Sequence, residues 1–155
     1  MEYLSVHIDA AAVMASGTAL SKKQTFQALA AIAARSYGLN SQIVLDSLHD
    51  RETLGSTGFG GAIAIPHARI NGLDKCVGMF IRLAQPIDFD AHDGQEVDLV
   101  FGLLSPQQGS ADHLKALAEV SRFLRDESTL TKLRGAASDD ALYVLLTGQK
   151  DQQAA

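Results

Sequence analysis

From residue 21 to residue 37 the apolar positions recur at helical spacing. Phe26, Leu29, Ala30, Ala33 and Tyr37 fall on or near one face. Ser21 and Gln24 have the spacing of a capping box, and Gly38 is a natural C-terminal stop. A second helix is predicted from the N-cap Asn40, with Ile43, Val44, Leu48 and Leu54 as its apolar face and Gly55 as its end. Four glycines then crowd into Gly55–Gly61, a density that predicts a loop with neither helix nor regular strand. Three short apolar runs bounded by Gly, Pro, Asp and Asn read as strands: Ala62–Ile65, Val77–Leu83 and Val97–Leu104. Leu114, Leu117, Ala118, Ser121 and Leu124 return to helical spacing over Ala111–Arg125, behind an N-cap at Ser110. Two shorter helices follow, capped by Ser128 and Ser138. Leu130 and Leu133 mark the face of one, and Leu142, Leu145 and Leu146 that of the other.

Helices, then strands, then helices, with no linker rich in Pro, Gly or Ser, predict one α/β sandwich over residues 1–155. Its central sheet is expected to carry helices on both faces, within a core from about residue 4 to residue 148. The 155 residues suffice for one buried core, and 46% hydrophobic with 20% charged residues is ordinary globular composition. The net charge of -5, with Lys22-Lys23 the one adjacent basic pair, argues against a nucleic-acid partner. Met1-Glu2-Tyr3 lacks a basic leader region, and Asp9 and Ser16 interrupt the Ala-rich stretch behind it. No apolar run reaches the roughly 20 residues of a membrane span. A soluble, cytoplasmic protein without membrane insertion is expected. Cys76 is the one cysteine, so no intrachain disulfide closes, and its place at the head of an apolar run fits a buried thiol.

The chemistry concentrates in Gly55–His67. A glycine loop can leave backbone N–H groups pointing into one space, and such nests bind phosphate. Ser56, Thr57, Gly58 and Gly60 are the candidate phosphate-binding positions, the first two adding hydroxyls. Pro66 fixes its own φ and holds Ile65 extended, so His67 is delivered from a stiff strand end. An imidazole is a nucleophile substantially neutral near pH 7 and can accept a phosphoryl group. The loop is not a P-loop, since no Lys-Ser or Lys-Thr follows it. Nor is it a dinucleotide fingerprint, because it runs from helix to strand. On spacing alone two readings stand: an anion site with an acceptor histidine, or a mobile turn with a structural one. A metal site from His67, His92 and His113 has no zinc-like spacing and no thiolate. His7 and His49 lack sequence partners and read as surface residues.

Longer motifs separate the two readings. Glu52, six residues, Phe59-Gly60, two residues, and Ile63-Ala64-Ile65-Pro66-His67-Ala68 resemble the phosphohistidine signature of the mannitol/fructose/nitrogen-regulatory IIA family of the bacterial phosphotransferase system. The similarity extends to Arg51-Glu52, Pro86-Ile87-Asp88-Phe89, Asp93-Gly94, Val97–Phe101 and His113–Ala118, almost the entire chain. The resemblance implies a mixed sheet and a phosphocarrier with His67 as phosphoryl acceptor. It makes His113 the partner histidine and Arg51 the residue that neutralises phosphoryl charge. An HPr-like phosphocarrier would be the donor. No cofactor is implied, and no metal is required, because that donor is itself a phosphohistidine. Three roles follow: regulation of target proteins by phosphorylation state, transfer to a fructose or mannitol IIB domain, or protein binding without chemistry. A stand-alone chain and the stretch Leu48–His67 favour the nitrogen-regulatory branch. Phe59 and Ile70 are expected as apolar contacts beside His67.

Overall fold

The computed structural model describes residues 3–149. Among them are six strands and five helices, in the order β1 (His7–Gly17), α1 (Lys22–Tyr37), α2 (Ser41–Thr53), β2 (Gly58–Gly60), β3 (Ile63–Ala64), β4 (His67–Ile70), β5 (Val77–Ile87), β6 (Val97–Pro106), α3 (Ser110–Phe123), α4 (Glu127–Gly135) and α5 (Asp139–Thr147). The sheet order is β1-β5-β6-β3-β2, with β4 also on β6. β1 runs parallel to β5, β5 antiparallel to β6, and β3 and β4 parallel to β6. The mixed sheet expected from the resemblance is therefore present.

Alternation along β5 and β6 divides the apolar residues between two layers. Val77, Met79, Ile81 and Leu83 of β5 join Val97, Val100 and Leu104 of β6 under α1 and α2. Phe80, Leu99, Phe101 and Leu103 pack on the other side against Val120, Leu124, Leu133, Leu142 and Leu146 of the C-terminal helices and the turn between α3 and α4. Each fully buried side chain of this size contributes roughly 1.5–3 kcal/mol, so both helical layers are firmly tied to the sheet. The close packing is visible at Gly78, where an added Cβ would stand 2.6 Å from Phe101 Cζ.

The capping signals hold where the geometry provides a free oxygen. Ser21, Asn40 and Ser138 accept from the N–H groups of Gln24, Ile43 and Ala141. At α4 the cap is Asp126, two residues before the expected Ser128, and its carboxylate takes Thr129 N–H and Oγ1–H. The α3 cap position falls on Gly109, with φ 103°, instead of Ser110. Leu54 is the α2 C-cap and 82% exposed, so it is not part of that helix's buried face.

Three strands depart from the sequence expectation. β1 occupies the Ala-rich stretch, and register shifts between Ile8 and Val13 and between Met14 and Gly17 blur its alternation. β2 lies inside the supposed irregular glycine loop and pairs antiparallel with β3. β4 continues the line of β3 along β6 after an interruption at Ile65-Pro66. That interruption positions His67. Pro66 has no N–H to offer, but its carbonyl accepts from Leu103 N at 2.9 Å and keeps the segment on β6.

Candidate functional site

His67 opens β4 immediately after the break and is half-buried. Its Nδ1 lies 2.8 Å from the Ile65 carbonyl oxygen. A carbonyl oxygen only accepts, so Nδ1 carries the proton and Nε2 carries the lone pair. Arg51 Nε–H donates to that Nε2 at 3.1 Å. Arg51 stands in the last turn of α2, and its Nη1 also donates to Gly55 O at 2.9 Å. The guanidinium is thus held between the helix end and the imidazole.

Burial pushes the His67 pKa below its ordinary value. The Ile65 hydrogen bond opposes that shift, the Arg51 charge reinforces it, and the Glu52 charge opposes it. The balance favours a neutral ring, which the single-proton hydrogen-bond pattern also requires.

His113 enters from the other layer, in the first turn of α3. Its ring centroid lies 5.6 Å from that of His67, with the rings tilted by 47°. It is buried, and its Nδ1 is 2.7 Å from Ser105 Oγ at the end of β6. Burial lowers its pKa, and repulsion from His67, whenever that ring is protonated, and from Arg69 adds to the effect. The structure therefore brings His67, Arg51 and His113, far apart in sequence, to one place.

The glycine loop behaves differently from the expected nest of free donors. Ser56 Oγ–H donates to Phe89 O, and Ser56 Oγ accepts from Gly58 N–H. Thr57 N–H and Oγ1–H both go to Glu52, at 2.9 and 2.6 Å. The Ser56 and Thr57 hydroxyls are committed to the loop and its supports. Gly60 is needed for backbone reasons: its φ is 114°, and an added Cβ would lie 3.2 Å from Asp93 Oδ2. Asp93 accepts from Gly61 N–H and fixes the β2–β3 turn.

Two residues of this region carry more than their sequence signal suggested. Glu52 ties together Thr57 and Lys22, whose Nζ is 3.1 Å away, and so clamps the α2 end to the loop and to α1. It belongs to the quoted signature, but only the fold shows what it grips. Ser105 lies one residue past the apolar run Val97–Leu104, and its complete burial is visible only in the fold. Ile70, expected as a surface contact, is 3% exposed and belongs to the core under α1 and α2. Phe59 is half-buried, with the Arg125 guanidinium 5.7 Å from its ring centroid. His49 is half-buried against Phe26, whereas His7 and His92 are exposed. Cys76 is half-buried ahead of β5.

A two-faced α/β sandwich that presents an unprotonated histidine nitrogen at a strand break is the class defined by fold and geometry. The profile described as "Phosphoenolpyruvate-dependent sugar phosphotransferase system, EIIA 2" matches residues 7–148, and the chain belongs to this family, whose members are phosphotransfer proteins. It is 50% identical over 126 residues to a nitrogen regulatory protein of Bradyrhizobium diazoefficiens, covering 81% of this chain and 82% of that protein. Nitrogen regulatory protein IIA-Ntr from Neisseria meningitidis has the same fold, with a TM-score of 0.84 and 33% identity over 90% of this chain and 96% of that one. The fold also matches the Escherichia coli complex of enzyme IIAMtl and phosphorylated enzyme IIBMtl, with a TM-score of 0.74 and 22% identity over 91% and 97% of the chains. Among the described residues no helix is long and apolar enough to cross a membrane.

Proposed function

We propose that this chain is a cytoplasmic phosphohistidine carrier that accepts a phosphoryl group on His67 Nε2 from an HPr-like protein and regulates partner proteins by its phosphorylation state. The observation that carries this reading is the His67 hydrogen-bond pattern. Nδ1–H is bound to Ile65 O, which leaves Nε2 unprotonated, its lone pair accepting only from Arg51 Nε–H.

In the transfer, the donor's N–P bond breaks and its electron pair returns to the donor ring. The lone pair of His67 Nε2 forms the new N–P bond. Nδ1 keeps its proton, and the positive charge gained by the ring is shared with the Ile65 carbonyl. Arg51 gives up its hydrogen bond to Nε2 and turns its N–H groups to the phosphoryl oxygens, where a planar fork suits the spread negative charge. His113 offers a further N–H from the facing helix. Catalysis here is positioning and charge stabilisation. The glycine loop contributes indirectly, through its grip on the α2 end that carries Arg51. Arg51 therefore serves both states, capping the nucleophile before transfer and the phosphate after it.

Phosphorylation brings about -1.5 to -2 charges to a site whose Arg51 and His113 are followed in sequence by the exposed Leu54 and Leu114. Partners that press an apolar or acidic patch there are expected to bind the unphosphorylated form better. The nitrogen-regulatory relative supports the regulatory branch. The mannitol complex supports an alternative in which a IIB domain receives the phosphate.

The test is incubation with phosphoenolpyruvate, enzyme I and an HPr-like carrier, followed by intact mass at neutral pH. One acid-labile phosphoryl group, absent from His67→Ala, is expected. No gain with carriers from several sources, including the host's own, would leave a binding module without the chemistry.

A further inference from the structure

Among the described residues, Ser105 is the one fully buried hydroxyl that touches the site. It lies on β6, opposite Arg69 of β4 in the ladder, with no exposed surface. Two neighbours compete for its single proton. His113 Nδ1 is 2.7 Å away, and Cys76 Sγ is 3.5 Å away. An imidazole nitrogen is a strong acceptor and a thiol sulfur a weak one. The short contact therefore takes the hydroxyl proton, and the thiol donates its own proton into Ser105 Oγ. In the reverse polarity His113 Nδ1–H would donate to Ser105 Oγ, the serine proton would go to sulfur and the thiol proton to Asp112 O, 3.9 Å away; that relay rests on the poorer acceptor and on the longer of the two thiol contacts.

We infer that Ser105 is a positioning residue that holds His113 in the Nε2–H tautomer, so that the partner histidine meets the phosphoryl group as a donor. The consequence is chemical. His113 Nε2 takes no hydrogen bond among the described residues. As N–H it attracts a phosphoryl oxygen, whereas as a lone pair it would repel one. Burial works against protonation of His113, which favours the neutral ring over a cationic one with donors on both sides. A neutral ring needs its proton on the correct nitrogen, and Ser105 makes that choice. The two histidines are consequently locked in opposite tautomers: Nδ1–H at His67 by a backbone carbonyl, Nε2–H at His113 by a side-chain hydroxyl.

The kinetic part of this inference rests on the phosphocarrier reading, while the tautomer part does not. The experiment is long-range proton–nitrogen correlation NMR of the full chain labelled in its histidines, at mildly alkaline pH, beside phosphoryl-uptake rates. Wild type should show a protonated Nε2 and a hydrogen-bonded, unprotonated Nδ1 at His113, with the reverse at His67. Ser105→Ala should give a mixed or inverted His113 tautomer and slow uptake by roughly tenfold or more, with the His67 pattern unchanged. Ser105→Thr, which restores the hydroxyl, should recover most of both. A protonated His113 Nδ1 in wild type would overturn the assignment. So would a Ser105→Ala protein with unaltered tautomer and rate. A wild-type chain that takes no phosphate would break the carrier reading instead, and the nitrogen shifts would still decide the role of Ser105.

Discussion

The two histidines of the site reach the same space by different means. His67 comes from a strand break, with its orientation written into the backbone through Ile65 O. His113 comes from the first turn of a helix, with its orientation set by one serine side chain. The orientation of His67 is thus insulated from single side-chain changes around it, while that of His113 is adjustable. In the proposed transfer, loss of a neighbouring side chain would alter how the phosphoryl group is stabilised more readily than which nitrogen attacks. The Arg51–Glu52 pair repeats this division between adjacent residues. Arg51 faces His67 Nε2, and Glu52 holds the loop and helix end in place.

The comparison can be broken most forcefully at Arg51. Replacing it by Ala removes the fork beside Nε2 and should lower phosphoryl uptake on the order of 10²–10³-fold in single-turnover assays. Arg51→Lys should restore only part, because an ammonium cannot hold the planar two-point contact. His67 itself should keep its Nδ1–H tautomer in both variants.

Glu52→Ala tests the supporting half. It leaves the buried Thr57 without an acceptor for its N–H and hydroxyl and leaves Lys22 paired with Asp90 but no longer with the α2 end. A loss of about 1–3 kcal/mol is expected in urea denaturation. Uptake should fall less than in Arg51→Ala, since the reacting groups remain.

pH probes both histidines together. Their folded pKa values lie below the ordinary 6.5, with burial as the main cause. The unfolded chain therefore binds more protons in the window between the folded and unfolded values, and stability rises with pH there. Folding free energy should be full above the unfolded value and decline as pH falls through the folded ones. Uptake should persist below pH 6.5 and fall once His67 protonates. His113→Gln should remove part of the stability slope and leave that of His67.

The smallest effect is expected at the β2–β3 turn. Ala62 has φ 67°, a left-handed conformation that costs a non-glycine residue energy. Ala62→Gly should raise stability by about 0.5 kcal/mol after the extra entropy of the unfolded glycine is subtracted. The midpoint shift in urea is the measurement, and the uptake rate should not change.

Much of this arrangement was legible in the chain itself. Caps at Ser21, Asn40 and Ser138 follow from local oxygen-to-amide geometry, which tertiary context rarely overrides. The two long apolar strands carry their own signal because both faces are buried. β1 was hidden because Ala10, Ala11 and Ala12 have weak strand preference and its bulges break the period of two. β2 and β4 are short and rich in Gly, His and Arg, and they exist through pairing with distant segments. In the candidate site, His67, Arg51 and His113 stood out through long motifs. The fates of the Ser56 and Thr57 hydroxyls did not, because Phe89 O and the Glu52 carboxylate become neighbours only after folding. Ser105 carries no local signal for the same reason: nothing in the sequence distinguishes a buried hydroxyl from a strand-end one.

The most direct test of the central claim is to locate the phosphoryl group by phosphorus–nitrogen NMR on histidine-labelled chain phosphorylated through enzyme I and an HPr-like carrier. A phosphoramidate on Nε2 of His67, with Nδ1 still bound to the Ile65 carbonyl, is the predicted result. Phosphate on His113, on Nδ1 of His67, or as an acid-stable ester would contradict it.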